Sequence, residues 1–352
     1  MSSITEVAER AGVSLATVSR VINNRGGVSE KRVRMVHEAI EELHYEPRPA
    51  YRRRGRKVEP KGGAEVKGAN SIAVVIIDGL YDHTPGLLVS HLKGIERAAA
   101  THGLNVVVAR PGDNRLPAAV RDVNALGLIL MGCQASPQML KEIEGTPSIW
   151  FGSHHSPTGD TVISGNYRVG QLAARYLLER GHKRVAFLSA MAHYPAYPAR
   201  AETFSFVATR GGAHVETFLD EKPTQVVGDS TEMGAIAGVI DKLVEKMLVV
   251  KPRLTGVFVP NDMMTAMLYP ALYRRGVTVG KDIDIISCNN EMSYLIGLSP
   301  RPATIDIGAE VMGRQSVEQL VMRLNQSEDD DDRDVQVAVE PRVIQSEAAW
   351  SA

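Results

Sequence analysis

The sequence predicts a small all-α head of three short helices followed by a larger α/β body. Three observations carry that expectation. Residues 4–43 fall into three short stretches with apolar side chains at helical spacing. Residues 47–70 are basic and rich in Pro and Gly, which marks a linker. From Ser71 onward, short apolar runs alternate with amphipathic helical stretches, the pattern of parallel strands joined by right-handed crossovers. A chain of 352 residues is too long for one ordinary core, and about 280 residues after the linker suffice for two α/β lobes.

Charge divides the chain in the same place. Residues 1–70 carry 14 Lys and Arg against 9 Asp and Glu, whereas the remainder carries 26 against 32. A basic head on an acidic body fits contact between the head and a polyanion, and it fits a solvated tail equally well. The start, MSSITEVAER, has no apolar signal core, and no run reaches transmembrane length, so a cytoplasmic protein is expected. Cys133 and Cys288 lack CxxC spacing and are expected to be buried free thiols.

In the head, Ile4, Val7, Ala8 and Ala11 repeat at i, i+3, i+4, i+7, and Gly12 ends that helix. Ser14 can cap a second helix with Val18, Val21 and Ile22 inward. Ser29 can cap a third with Val33, Val36, Ile40 and Leu43 inward. Three short helices joined by tight turns suit a helix-turn-helix unit. The outward face of the second helix holds Ala16, Arg20 and Asn23, with Leu15 and Thr17 at its start. Small and apolar side chains there suit close approach to base edges, and Arg20 can donate two hydrogen bonds to guanine. A plain helical bundle with a surface arginine has the same spacing.

The stretch ITEVAERAGVSLATVSRVINNRGGVSEKRVRMVHEAIEELHYEP resembles, without gaps from Ile4 to Pro47, the head of the lactose-repressor (LacI/GalR) family. The resemblance implies that Leu15, Ala16 and Arg20 read the major groove. It implies that Ser14, Thr17, Ser19, Asn23 and Ser29 hold phosphates or position the helix. It further implies an operator of pseudopalindromic double-stranded DNA, a small-molecule effector and a homodimer. In the body, GHKRVAFLS, VFVPNDMMTAM and GVTVGKDIDIISCNNE stand in the family's order. They imply a periplasmic-binding-protein-like core of two doubly wound parallel-sheet lobes linked by three crossovers, with the effector in the cleft. The expected domains are the head at 1–46, the linker at 47–70 and the core at 71–346. Within the core, the first lobe is expected at about 71–160 and 292–323 and the second at about 161–291 and 335–346.

By position, Arg200 and Asn261 fall where the family grips its effector, and Asn289 in SCNN replaces a common aspartate. The exchange leaves the pocket less anionic, while asparagine can still pair with sugar hydroxyls. A carbohydrate is the expected effector, with a purine-like ligand as the alternative. Tyr81, Asp82 and His83 follow the first strand and can face the cleft, and Phe151 and Tyr194 can stack on a ligand. Each of these five serves equally well as a loop or packing residue.

The linker departs from the family. Relatives place a short hinge helix there that inserts a leucine into the minor groove. Alignment from HYEP puts Arg54 at that leucine, Arg48 at a usual asparagine and Tyr51 at a usual alanine. Arg54-Gly55-Arg56 is similar to the core of AT-hook peptides, so Arg52, Arg54 and Arg56 are candidate minor-groove contacts. Phosphate contact alone and an idle linker remain open. No G-x-G-x-x-G after a strand, P-loop or G-x-S-x-G elbow is present, which argues against a nucleotide-dependent enzyme or serine hydrolase. His154 and His155 lack a ligand set, and SEDDDDRD before a final strand reads as a solvated loop, so no metal or cofactor is expected. A solute-binding protein of the same core fold is the alternative to a gene regulator. The absent signal and the basic head argue against it.

Overall fold

The computed structural model describes residues 4–22, 28–43, 45, 70–77, 81, 84–111, 115–122, 124–155, 159–220, 230–326 and 333–347. Asn23, Arg52, Arg54, Arg56, Asp82 and His83 lie outside them.

Three helices form the head: α1 (Ile4–Arg10), α2 (Leu15–Ile22) and α3 (Glu30–Glu42). The expected inward residues do pack. Val7, Ala8, Ala11, Val18, Val21, Val36 and Ala39 are buried, with Ile4, Ile22, Val33, Ile40 and Leu43 packed against them. Gly12 turns the chain at φ +62°, a conformation that costs glycine little. Ser14 caps α2, its Oγ accepting from the Thr17 amide at 3.2 Å. Ser29 stands at the start of α3, but its side chain makes no capping hydrogen bond.

In the body, the chain runs β1 (Ser71–Ile76), α4 (Pro85–Thr101), β2 (Asn105–Ala109), α5 (Ala118–Asp122), β3 (Leu128–Met131), α6 (Pro137–Glu142), β4 (Ser148–Phe151) and β5 (Asp160–Ser164). It continues through α7 (Asn166–Glu179), β6 (Arg184–Ser189), α8 (Tyr197–Arg210), β7 (His214–Leu219), α9 (Ser230–Leu248), β8 (Gly256–Phe258), α10 (Asp262–Tyr273) and β9 (Asp284–Cys288). Then come α11 (Met292–Leu295), β10 (Ala303–Asp306), α12 (Ala309–Asn325), β11 (Gln336–Val339) and β12 (Arg342–Ile344). Among the described residues, no helix is long and apolar enough to cross a membrane.

Two six-stranded sheets result, ordered β2-β1-β3-β4-β5-β11 and β7-β6-β8-β9-β10-β12. Their first five strands repeat one doubly wound order, and among the described residues only β12 runs antiparallel, beside β10. The chain crosses between sheets three times, at Ser164–Asn166, Asp306–Ala309 and Val339–Arg342. The lobe limits read from sequence need correction. They give 292–323 to the first lobe, but β10 pairs with β9 in the second sheet. They give 335–346 to the second, but β11 pairs with β5 in the first, and β5 itself runs to Ser164. Strand pairing sets the lobes, and pairing between distant segments leaves no local signal.

Each lobe has one pair of closely packed helices that depends on glycine. A Cβ on Gly94 would overlap the Glu310 carbonyl, and one on Gly313 the His91 carbonyl, so α4 and α12 touch through their backbones. Gly170 does the same for α7 against the Arg200 carbonyl on α8. Gly313→Val should therefore lower the free energy of unfolding by about 2–3 kcal/mol, because neither backbone can retreat from a packed core. Nothing lies within 4 Å of a Cβ at Gly234 or Gly238 in α9. Alanine there should stabilise by about 0.5–1 kcal/mol each through helix propensity. Urea unfolding of the variants measures both effects.

Candidate functional site

On the head, the α2 face expected to meet DNA is open. Leu15 is 48% exposed, an unusual state for so large an apolar side chain, and Ser14 and Arg20 are exposed beside it. Thr17 and Ser19 are half-buried, and the backbone of Ala16 lies in α2. Val18 and Val21 on the opposite face hold the helix to the core. One helix thus spends its apolar residues on both faces, and only one of them is covered.

In the body, doubly wound sheets open crevices beyond the carboxyl ends of the strands where the strand order reverses, here at β1/β3 and β6/β8. Arg200 lies at this end of the second lobe and is only 4% exposed. Its Nε donates to Asn166 Oδ1 at 2.9 Å, and its Nη1 donates to the Pro260 carbonyl at 2.7 Å and faces Cys288 Sγ at 3.3 Å. Its Nη2 donates to Ser164 Oγ at 3.4 Å. Asn166 in turn donates from Nδ2 to Ser153 Oγ at 2.9 Å. The guanidinium thus ties the first crossover to the ends of β8 and β9, using neutral acceptors.

Asn261 is buried, donates to the Tyr197 hydroxyl at 2.7 Å and caps α10 by accepting from the Met264 amide at 2.7 Å. The Tyr197 ring lies 5.7 Å from the Arg200 guanidinium and 4.8 Å from the half-buried Tyr194 ring. Arg200, Asn261 and Tyr194 are therefore brought together, through a tyrosine that the sequence analysis did not single out. Its signal was available, since Tyr197 precedes Arg200 by one helical turn.

Phe151 and Tyr81 form a second group. Phe151 is 1% exposed, so it is a packing residue here, not an open stacking platform. Both rings meet His91 edge-on, at 4.5 Å from Phe151 and 6.0 Å from Tyr81. His91 is enclosed, neither of its ring nitrogens has a hydrogen-bond partner among the described residues, and burial pushes its pKa down to about 3. Cys288 is buried as expected, whereas Cys133 is only half-buried. His154 stacks on Trp150 and shares a hydrogen bond with Thr161.

Asn289 is half-buried with φ +106°, and Asn290 follows at φ +59°. Both line an open groove of about 960 Å³ with Glu291, Gly86, Leu87 and Ser90. Asp262 holds this turn, accepting from the Glu291 amide at 2.6 Å and the Thr304 hydroxyl at 2.9 Å. Burial pushes the Asp262 carboxyl up to about 7, against those hydrogen bonds. Burial likewise raises Glu291 to about 7, against the amides of Leu87 and Gly86, and the neighbouring Asp262 charge adds to it. Neither carboxyl was singled out by the sequence analysis.

Residues 3–48 match the family model described as bacterial regulatory proteins, lacI family. Residues 174–346 match a periplasmic binding protein-like domain. The HTH-type transcriptional repressor PurR of Pectobacterium carotovorum subsp. carotovorum is 27% identical over 341 residues, 94% of this chain and 92% of that protein. The ribose operon repressor of Escherichia coli K12 is 24% identical, over 93% of this chain and 94% of its own. Among solved structures, a complex of the transcriptional regulator CelR with cellobiose matches with TM-score 0.65 and 22% identity, covering 99% of this chain and all of that one. The lac repressor dimer bound to operator and the anti-inducer ONPF matches with TM-score 0.61 and 20% identity, covering 99% of each. These two likenesses show the fold.

The two raised carboxyls fix a pH dependence. Each keeps its proton in the folded chain at pH values where the unfolded chain has released it. Their effect therefore lowers stability as pH rises from about 4.5 to about 7. His91, depressed when folded, works oppositely below about 6.5, so single variants are needed to separate the groups. The stability of Glu291→Gln relative to the wild type should rise by about 1–2 kcal/mol between pH 5.5 and pH 8 in urea unfolding. A difference that does not change with pH would contradict the buried, proton-holding carboxyl.

Proposed function

We propose, for a chain that belongs to the lactose-repressor (LacI/GalR) family of bacterial transcription regulators, a ligand-responsive repressor that binds a pseudopalindromic operator as a homodimer. The observation that carries the reading is the uncovered face of α2, with Leu15 and Arg20 exposed on a helix whose other face is packed. A two-fold pair of such helices presents the same residues to two half-sites. Such a regulator works in the cytoplasm, where the chromosome is.

Leu15, Ala16 and Arg20 read bases, while Ser14, Thr17, Ser19, Asn23 and Ser29 hold phosphates or set the helix against them. Arg52, Arg54 and Arg56 add contacts in the minor groove at the operator centre. In the body, Arg200, Asn261 and Asn289 grip the effector, with Tyr81, Asp82, His83, Phe151 and Tyr194 in supporting positions. A small sugar suits this polar, hydrogen-bonding set, and relatives named for ribose and cellobiose support that choice. The effector favours one arrangement of the lobes, and that preference changes the affinity of the paired heads for DNA. Relatives that are transcription regulators support a binding protein and not an enzyme.

Arg20→Ala should cost about 1–3 kcal/mol on the operator and relax the preference at one base pair of each half-site. Replacing Arg54 and Arg56 with Lys keeps charge, and should weaken any A·T preference at the operator centre. Gel-shift assays over single-base operator variants read both. Unchanged base preference in both proteins would defeat the assignment of the reading residues.

A thermal-shift screen of mono- and disaccharides against nucleobases tests the effector. A cognate sugar at a hundredfold excess over Kd should raise Tm by about 5–10 °C. A melt shifted by purines and untouched by sugars would replace the sugar reading.

A further inference from the structure

The N-terminus of α4 has no cap of its own. The hydroxyl of Thr84 makes no capping bond, and Pro85 at the first helical position has no N–H to satisfy. The amides of Gly86 and Leu87 are left pointing out of the first turn. Glu291 takes the Leu87 amide, its Oε1 accepting at 3.2 Å, and its carboxyl lies against the Gly86 amide as well. Glu291 lies 204 residues further along the chain, in the turn that leaves β9 of the second lobe, whereas α4 belongs to the first. A carboxylate at a helix N-terminus is favoured by the helix dipole as well as by the hydrogen bonds. Glu291 is 3% exposed and its Oε2 has no partner among the described residues, so nothing else holds the side chain's end.

The turn that delivers Glu291 is tightly specified. Asn289 and Asn290 both have positive φ, which asparagine tolerates better than most residues. The Asn289 amide donates to the Ile305 carbonyl at 2.8 Å, and the Asn290 amide donates to Thr304 Oγ1 at 3.2 Å. The Glu291 amide is fixed by Asp262. A change of backbone at Asn289 thus reaches Glu291 two residues later, with little slack to absorb it.

We propose that Glu291 is an inter-lobe latch, a positioning residue that caps α4 across the two lobes and couples the Asn289 turn to the first lobe, and so to operator affinity. The inference rests on the reading of the chain as an effector-controlled DNA-binding protein. An effector that engages Asn289 makes or breaks a helix-capping bond in the other lobe. That gives the lobe arrangement two discrete states and not a continuum.

The test uses the full-length chain at pH 7.5 and an operator obtained by selection from random DNA. In wild type, hydrogen exchange in the peptide spanning Thr84–Ser90 should be slow at Leu87. In Glu291→Ala that peptide should exchange at least tenfold faster, with β1 and α12 unchanged. Without added effector, operator Kd should move at least fivefold in Glu291→Ala and less than twofold in Glu291→Gln, which keeps the accepting oxygen. Faster exchange with an unchanged Kd in Glu291→Ala would overturn the coupling and leave a structural cap. A wild-type Leu87 amide exchanging like an unprotected turn would overturn the latch, even if Glu291→Ala fails to fold. A wild-type protein that selects no sequence would refute the underlying reading instead, and so is told apart from either result.

Discussion

A buried guanidinium at the first crossover constrains the rest of the body. Removing Arg200 from water is costly, and the structure offsets that cost with neutral acceptors from three places at once. Asn166 and Ser164 belong to the crossover itself, and Pro260 and Cys288 to strand ends of the second lobe. The crossover therefore cannot shift without leaving donors unpaired in the interior. The packing beneath follows from this, because α7 reaches the Arg200 backbone only where Gly170 has no side chain. Cation, hinge and helix pair form one unit, placed where the doubly wound order opens a crevice.

The two ends of the sheets differ in how they treat buried charge. At the amino ends of strands, carboxylates are paired with cations. Asp160 opens β5 bonded to Arg323, to Gln319 at 2.8 Å and to the Val335 amide at 2.8 Å. Asp284 opens β9 bonded to Arg180 at 2.6 Å and His182 at 3.3 Å. At the carboxyl ends, Asp262 and Glu291 meet amides and hydroxyls instead, and His91 meets aromatic rings edge-on. Paired charge builds a fixed base. Groups held without full partners are those whose energies a ligand or a lobe movement can change.

The head was legible almost residue by residue, because helical spacing and burial coincide in a small unit. Val7, Val18, Val21 and Val36 were expected inward and are buried. The alternating strands and helices of the body were legible for the same reason wherever a strand is buried on both faces, as with β1, β3 and β6. The edge strand β7 was not, since it mixes exposed and half-buried residues, none of them fully buried, and reads as neither a core run nor a helix. The lobe limits were missed because β10 and β11 take their places from partners far away in sequence. In the candidate site, Arg200, Asn261 and Asn289 were singled out by position, whereas Glu291, Asp262 and His91 were not. These three are ionisable groups held in the interior, Asp262 and Glu291 on amides and hydroxyls and His91 against aromatic rings, and a linear sequence does not record such surroundings.

Head and body answer to different physics that must meet in one function. The head keeps Leu15 and Arg20 uncovered, which a protein with no partner for that surface has little reason to do. The body stores polar groups in a cleft between repeated lobes. Head and body meet in one function only if this chain reads sequence as a two-fold pair. Selection from random double-stranded DNA with the full-length protein is the direct measurement. Enrichment of one pseudopalindrome, with two half-sites related by a dyad and matching mutations that act symmetrically, is the predicted result. Binding to all sequences alike, weakening only with added salt, would contradict it.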